Sequence, residues 1–471
     1  MQKPQFLIAA PASNTGKTTV TLALLRAFSQ QDFRVQPYKC GPDYLDPFHH
    51  TRAAGRQSIN LDTFMMSDTY VQAIYRQYLS NADIAILEGV MGLFDGSQKM
   101  QGSSAEIAIL LNIPVILVIN AKAMAYSVAP LIYGFKQFDK RLNIAGVIFN
   151  YVNTASHYQF LKEACEEIGV KALGYIPKND KLQIPSRHLG LYISDDMDYD
   201  KLINTATTHI SQHIDIERLL AITQTPFLPH NYQPEAFPKN SKSSDDGNFY
   251  TPLNPLSKGD SPTILTEKFI VRKNPLKILV AQDAAFNFIY YENLKKLSEY
   301  GEIIFFSPLT DKQLPEGNFL YLAGGYPELF LEALSHNHSL KTSILNYCET
   351  GGLTYTECGG LMYLGQTITN EQGQTFEMVK FLDLTTSMVN KRLHLGYRKI
   401  QLNDFEIRGH EFHYSSVTEL EKMQTLGKIY NAKGVAVSSS LYRKQNTFAS
   451  YIHVYWGEQD EFLKNMIDFV I

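Results

Sequence analysis

Short β-branched runs alternate with longer helical stretches over residues 6–177, and a chain with this rhythm has few folds open to it. Apolar runs at 84–87, 115–119 and 144–149 are separated by segments such as 124–138. Strand, helix, strand in that order makes a parallel sheet with crossover helices. The rhythm stops between 223 and 273, where Pro, Ser, Asn, Lys and Asp dominate, as a linker requires. It resumes at 277–281, with a helix expected over 291–300 and strands at 303–306 and 319–322. Beyond about Gly365 the pattern turns strand-rich, at 397–402, 407–417, 434–438 and 447–455. No repeat of fixed period is present. The expected organisation is an α/β domain over 1–222, a linker over 223–273 and a second α/β domain over 274–471. A chain of 471 residues with 44% hydrophobic content is long enough for two cores.

Charge narrows the class of partner. Lys and Arg number 43 against 47 Asp and Glu, a formal charge of -4, so nothing draws the chain to nucleic acid or an anionic membrane. A small molecule is the expected partner. The four cysteines, Cys40, Cys165, Cys348 and Cys358, show no C-x-x-C spacing and are too few for a disulfide framework, which fits a reducing cytoplasm. The chain enters its first strand without an export signal, and apolar runs such as 113–119 fall far short of the roughly 20 residues that span a bilayer. Scattered Cys and His lack zinc-ligand spacing.

The first chemical motif is Asn14-Thr15-Gly16-Lys17-Thr18-Thr19. A phosphate loop needs backbone N–H groups around phosphate, a lysine for the outer phosphates and a hydroxyl on Mg²⁺ where the helix begins. Gly16, Lys17, Thr18 and Thr19 are placed for this, between a strand and an apolar helix, although Pro11 stands where the standard motif has glycine. ATP and Mg²⁺ are the expected cofactors. Glu88 ends the apolar strand 84–87 and emerges at the carboxyl edge of the sheet, as a metal-binding carboxylate should. Asp43 and Asp46 lie in the Gly/Pro-punctuated loop after a strand at 34–38, and Asp95 lies in Gly92-Leu93-Phe94-Asp95-Gly96. Singly, each aspartate reads as a turn cap. As a cluster they converge on the nucleotide cleft, with Thr18, Asp43 and Glu88 as the expected metal ligands.

The second motif is Thr356-Glu357-Cys358-Gly359-Gly360, a strand turning sharply into a helix. Cysteine there resembles a nucleophile elbow, and the helix N-terminus is expected to lower its thiol pKa. Cys165 and Cys348 read as buried structural thiols. Another glycine turn, at Gly324 and Gly325, offers backbone N–H groups for an oxyanion hole. Among 13 histidines, His453 follows a strand near the chain end and is the candidate base, though position alone does not select it over a structural histidine; the same holds for His410 and His413.

Together these residues resemble the cobyrinate a,c-diamide synthase family, glutamine-dependent enzymes of cobalamin biosynthesis. The resemblance rests on Lys17-Thr18, the run 39–47, the run 88–96 and Arg187-His188-Leu189-Gly190-Leu191. In the second half it rests on 284–288, 324–329, 357–364 and 408–414. It implies a dethiobiotin-synthetase-like P-loop domain that activates a carboxylate as an acyl phosphate. It also implies a class I glutamine amidotransferase-like domain with Cys358 as nucleophile and His453 as base. Cobyrinate and L-glutamine are the implied substrates, and a homodimer is an allowed assembly. Tyr44, Leu45, Asp46 and Asp95, with Asp43, match positions that handle substrate. Three positions depart from common patterns: Asn14 for a glycine, Ala323 for a proline, and Tyr455 where ordinary class I amidotransferases carry the triad glutamate. In its place Tyr455, another acid or a Cys–His dyad must serve.

Hydrogenobyrinate or nickel-sirohydrochlorin would suit the same framework as substrate. A ParA/MinD-like ATPase switch would explain the phosphate loop but has no use for Cys358. A regulatory protein with a dead amidotransferase domain would not keep both Cys358 and His453, and a ligase of the biotin pathway would not need glutamine.

Overall fold

The computed structural model describes residues 1–179, 198–227, 275–402 and 405–470. Two compact units divide the chain, Met1–His230 and Asn231–Ile471. The first is built on β1 (Gln2–Ala9), β2 (Val35–Cys40), β3 (Ile59–Leu61), β4 (Ile84–Glu88), β5 (Val115–Asn120), β6 (Ile144–Asn150) and β7 (Lys171–Ile176). These run parallel in the order β3-β2-β4-β1-β5-β6-β7. Helices cover the sheet, so the central strand reads as a continuous apolar run, with Phe6, Leu7 and Ile8 fully buried. The helix α1 (Lys17–Ser29) packs Val20, Leu24 and Phe28 into one core with Phe6, Ile86, Ile116 and Ile148. β1 lies between β4 and β5, where the chain changes direction across the sheet, and a crevice opens at the carboxyl ends of strands at such a point.

The first unit extends past its expected end. β8 (Gln224–Pro226) pairs antiparallel with β1, Thr223 is buried, and Phe227 is buried beside it. Residues 223–227, expected as the start of the linker, are thus part of the first unit; the rest of that stretch, like the Arg187–Leu191 motif, lies outside the described residues.

The second unit is built on β9 (Leu276–Ala281), β10 (Gly301–Phe306), β11 (Phe319–Leu322) and β12 (Leu353–Glu357). With Thr447–Ser450, Leu441–Lys444 and Gln424–Leu426 they form a seven-stranded sheet in the order β10-β9-β11-β12, then those three strands. Alternate residues enter two cores: Leu279, Ala281, Leu320 and Leu322 enter one, and Ile278, Val280, Phe319, Tyr321, Leu353 and Tyr355 the other. This is the period-two signature of a strand buried on both faces.

Three strand expectations change in the second unit. Residues 434–438 form a turn with a single bridge from Ala436 to Tyr430. The run 407–417 divides into Phe405–His413 and Ser416–Glu419. The run 447–455 breaks at Tyr451, so that Thr447–Ser450 stays in the large sheet while Ile452–Val454 pairs with Phe405–His413 in a smaller one. Periodicity cannot register such a break, because both halves keep the same alternation and only their pairing partners differ.

Candidate active sites

The phosphate loop closes around two left-handed residues. Gly16 has φ 99°, and a Cβ there would stand 2.3 Å from Asn150 Nδ2, so space and backbone both demand glycine. Asn14 has φ 60°, a left-handed conformation that Asn tolerates better than other non-glycine residues. From the end of β6, Asn150 Nδ2 donates to the Thr15 carbonyl at 2.8 Å and fixes the loop. Lys17 is buried at the start of α1 and donates to the carbonyls of Ala12 (3.2 Å) and Met91 (2.8 Å). Burial lowers its pKa to about 8, against the raising pull of Glu88. Thr19 follows in the first turn of the same helix.

Beside the loop, β4 and β2 deliver a buried charge cluster. Thr18 Oγ1 donates to Glu88 Oε1 at 2.6 Å, and His50 Nε2 meets Glu88 Oε2 at 2.6 Å. Lys39 Nζ reaches Glu88 Oε1 (3.2 Å), Asp43 Oδ2 (3.7 Å) and, most closely, Asp46. Burial opposes the charge on Glu88, yet Lys39, His50 and Thr18 outweigh it and hold the carboxyl below its usual range. Asp46 shifts the opposite way, raised by burial and by Asp43 and Glu88. Glu88, with the most donors, keeps its charge, while Asp46 is pushed toward its neutral form.

The expected residues of this site are brought together unequally. Asp43 Oδ1 accepts from the N–H groups of Leu45 and Asp46 and so starts the helix α2 (Leu45–Ala54), the turn-capping role, while its second oxygen faces Lys39. Tyr44 is the half-buried N-cap residue, and Leu45 is buried. Asp95 is exposed; its Oδ2 accepts from Gly92 N at 3.0 Å in a turn that leans on the phosphate loop, where a Cβ on Gly92 would stand 2.7 Å from the Pro11 carbonyl. The adjoining oxygens of Thr18 and Glu88 suit a hard cation such as Mg²⁺. Asp43 suits one less directly, since the Lys39 ammonium reaches both it and Glu88. Sequence reading passed over Lys39, His50 and Asn150. The signal for His50 was its position four residues after Asp46, on the same helical face.

In the second unit β12 ends at Glu357 and Cys358 turns the chain with φ 43° and ψ -102°, strained for a non-glycine residue, before the helix Gly359–Leu364. A Cβ on Gly359 would lie 3.1 Å from Gly325 N, and one on Gly324 would lie 2.1 Å from His453 Cε1. The two glycine turns, the cysteine and the histidine therefore share one pocket. Gly325, with φ 157°, leads into a single 3-10 turn at Pro327–Leu329 and then a short helix over Leu331–His336. His453 is buried, packs against the tilted ring of Phe288 (4.0 Å between ring centroids) and stacks on His410 (4.9 Å), and neither ring nitrogen has a hydrogen-bond partner.

The thiol does not have the lowered pKa expected of it. Cys358 is 4% exposed, and burial, reinforced by the Glu328 carboxylate, pushes it well above the ordinary thiol value, outweighing the Gly359 N–H. Burial likewise drives His453 down to about 3. At rest the thiol and the imidazole are both neutral. Cys165 and Cys348 are buried and free, as their structural reading expects, and Cys40 is buried and free at the end of β2. Among the described residues one metal-type cluster exists, His394, Glu411 and His413, whose ligand atoms lie within 4.8 Å. Its Glu411 already accepts from Arg398 Nε (2.6 Å) and Ser439 Oγ (2.9 Å) and faces His413 Nε2 at 3.0 Å, an ion-pair network complete without a cation. No described helix is long and apolar enough to cross a membrane.

Comparison with known proteins matches both units. Residues 6–191 match the CobQ/CobB/MinD/ParA nucleotide binding domain, and residues 277–461 the CobB/CobQ-like glutamine amidotransferase domain. Cobyrinate a,c-diamide synthase of Streptococcus sanguinis (strain SK36) is 37% identical, over 99% of this chain and 99% of the relative. That of Archaeoglobus fulgidus is 36% identical over 97% and 95%, and that of Listeria innocua 37% over 98% and 98%. With two-domain relatives aligned end to end at this identity, the chain belongs to the cobyrinate a,c-diamide synthase family of glutamine-dependent amidating ligases.

Proposed function

We propose that this protein converts the a and c carboxylates of cobyrinate to amides, using ATP and glutamine. Cys358 gives its proton to His453 and attacks the glutamine carboxamide, with Gly324 and Gly325 N–H groups on the oxyanion. His453 returns the proton to the departing ammonia, and water then releases glutamate from the thioester. In the first unit Gly16, Lys17, Thr18 and Thr19 bind ATP, and a substrate carboxylate takes the γ-phosphoryl group to give an acyl phosphate and ADP. Ammonia attacks that carbonyl and expels phosphate, which a free carboxylate would not allow. Mg²⁺ would be held by Thr18 and Glu88 with Asp43, and would neutralise charge on the phosphates. Asp43, Tyr44, Leu45, Asp46 and Asp95 position the corrinoid side chain. Four buried free thiols support a cytoplasmic setting.

The observation that supports this reading most is Cys358 on a strained elbow beside a buried His453, in a chain that also keeps Lys17 in its phosphate loop. Mass spectrometry of cobyrinic acid incubated with the protein, MgATP and either glutamine or ammonium tests it, with Cys358→Ala in parallel. A diamide from wild type, and from the variant with ammonium only, is expected. Amidation of hydrogenobyrinate or nickel-sirohydrochlorin in preference to cobyrinate would reassign the substrate while keeping the chemistry.

A further inference from the structure

We infer that Glu357, the residue before the nucleophile, is the acid that positions His453, in place of the glutamate that Tyr455 displaces. The inference rests on the reading of Cys358 and His453 as the glutaminase pair. Glu357 Oε2 lies 3.6 Å from His453 Nδ1, and among the described residues no other carboxylate comes within 4.0 Å of either ring nitrogen. Both side chains are about 1% exposed.

The sheet explains how a residue adjoining the cysteine reaches the far side of the histidine. On β12 Glu357 shares the face of Leu353 and Tyr355, opposite to the core that Cys358 enters, so the carboxyl points among Tyr321, Tyr355 and Trp456. The break at Tyr451 carries Ile452–Val454 over that face. Asn293 holds the strand by donating to the Val454 carbonyl at 2.7 Å and accepting from Trp456 N at 2.7 Å.

A carboxyl buried among aromatic rings is costly unless polar groups meet it. Val454 N–H donates to Oε1 at 3.0 Å, and the Tyr321 hydroxyl donates to Oε2 at 3.2 Å. Both treat Glu357 as an acceptor, and the remaining direction of Oε2 faces Nδ1. An Nδ1–H held there leaves Nε2 free to take the thiol proton, and the carboxylate then stabilises the imidazolium. Burial raises the Glu357 carboxyl to about 8 and lowers His453 to about 3, so the imidazole is neutral at rest and Glu357 serves it in the ionised form, which is the form that its two donors favour. The other titratable groups facing the imidazole are His410, stacked on it, and His413 and Glu411.

Glutamine hydrolysis by the full-length chain, without acceptor, tests the assignment. For Glu357→Gln, kcat should fall by about 100-fold with KM for glutamine within about twofold, since an amide no longer fixes the tautomer. Glu357→Asp should recover at least about tenfold over Gln. Ammonium-dependent amidation should stay at the wild-type rate in both. Wild-type kcat in Glu357→Gln, or no recovery in Glu357→Asp, overturns the inference. Should Glu357→Gln fail to fold, Tyr321→Phe carries the test: kcat should drop about fivefold at constant KM, and an unchanged kcat overturns the inference. Cys358→Ala is the control on the underlying reading. Hydrolysis that persists in that variant refutes the nucleophile itself, whereas its loss alongside a fully active Glu357→Gln refutes only the role of Glu357.

Discussion

Thr18 Oγ1 and Glu88 Oε1 stand 2.6 Å apart, joining the first turn of α1 to the end of β4 across two adjacent parallel strands. Ile8 pairs with Glu88 in register, so the helix that leaves the phosphate loop and the carboxylate that ends the next strand arrive at the same level of the sheet. If this pair holds the metal, Glu88→Gln should abolish amidation with either glutamine or ammonium, lowering kcat by at least about 100-fold. Glutamine hydrolysis should persist. Rates of diamide and glutamate formation, measured separately, check both parts.

Lys39 is the only described cation whose ammonium touches Asp43, Asp46 and Glu88 together, and its side chain is 3% exposed. Lys39→Met leaves buried negative charge uncompensated and should cost roughly 3–5 kcal/mol. Denaturant unfolding of the variant against wild type gives the value. The sign of the pH effect follows from Glu88, whose folded pKa lies below its ordinary value of 4.5. Its contribution is complete above that value and is lost as pH falls through the folded one. Acid should therefore narrow the stability gap between Lys39→Met and wild type.

Gly324 leaves no room for a side chain, since an added Cβ would meet His453 Cε1 at 2.1 Å. Gly324→Ala must push the imidazole off its seat on Phe288. Glutamine hydrolysis should fall by about 100-fold, with a stability cost of about 1–3 kcal/mol from overpacking. Ammonium-dependent amidation should be spared, and a thermal melt separates the two effects.

The buried thiol makes a different kind of prediction. With the Cys358 pKa raised by burial and by Glu328, its thiolate fraction rises only at high pH. Alkylation by iodoacetamide, followed by mass spectrometry of the peptide carrying Cys358, should be slower at pH 7 than for free cysteine. It should still accelerate above pH 9. A plateau below pH 8 would show instead a thiolate stabilised at rest, as in cysteine proteases.

The sequence alone determined the division into two α/β units, the phosphate loop, Glu88 at a strand end, and the Cys358 elbow. Each is written locally, in a run of apolar residues closed by Gly and a reactive side chain. It did not reveal that β8 returns to β1, because three residues of polar sequence carry no periodicity. Nor did it show that Lys39 and His50 meet Glu88, 49 and 38 residues away. Tertiary structure also decided the electrostatics. A helix N-terminus suggested a low thiol pKa, but burial, which only packing sets, reversed it. The partner of His453 was beyond sequence reasoning for the same reason. Glu357 and His453 are 96 residues apart by number, and only the alternation along β12 and the break at Tyr451 bring their side chains to one face of the sheet.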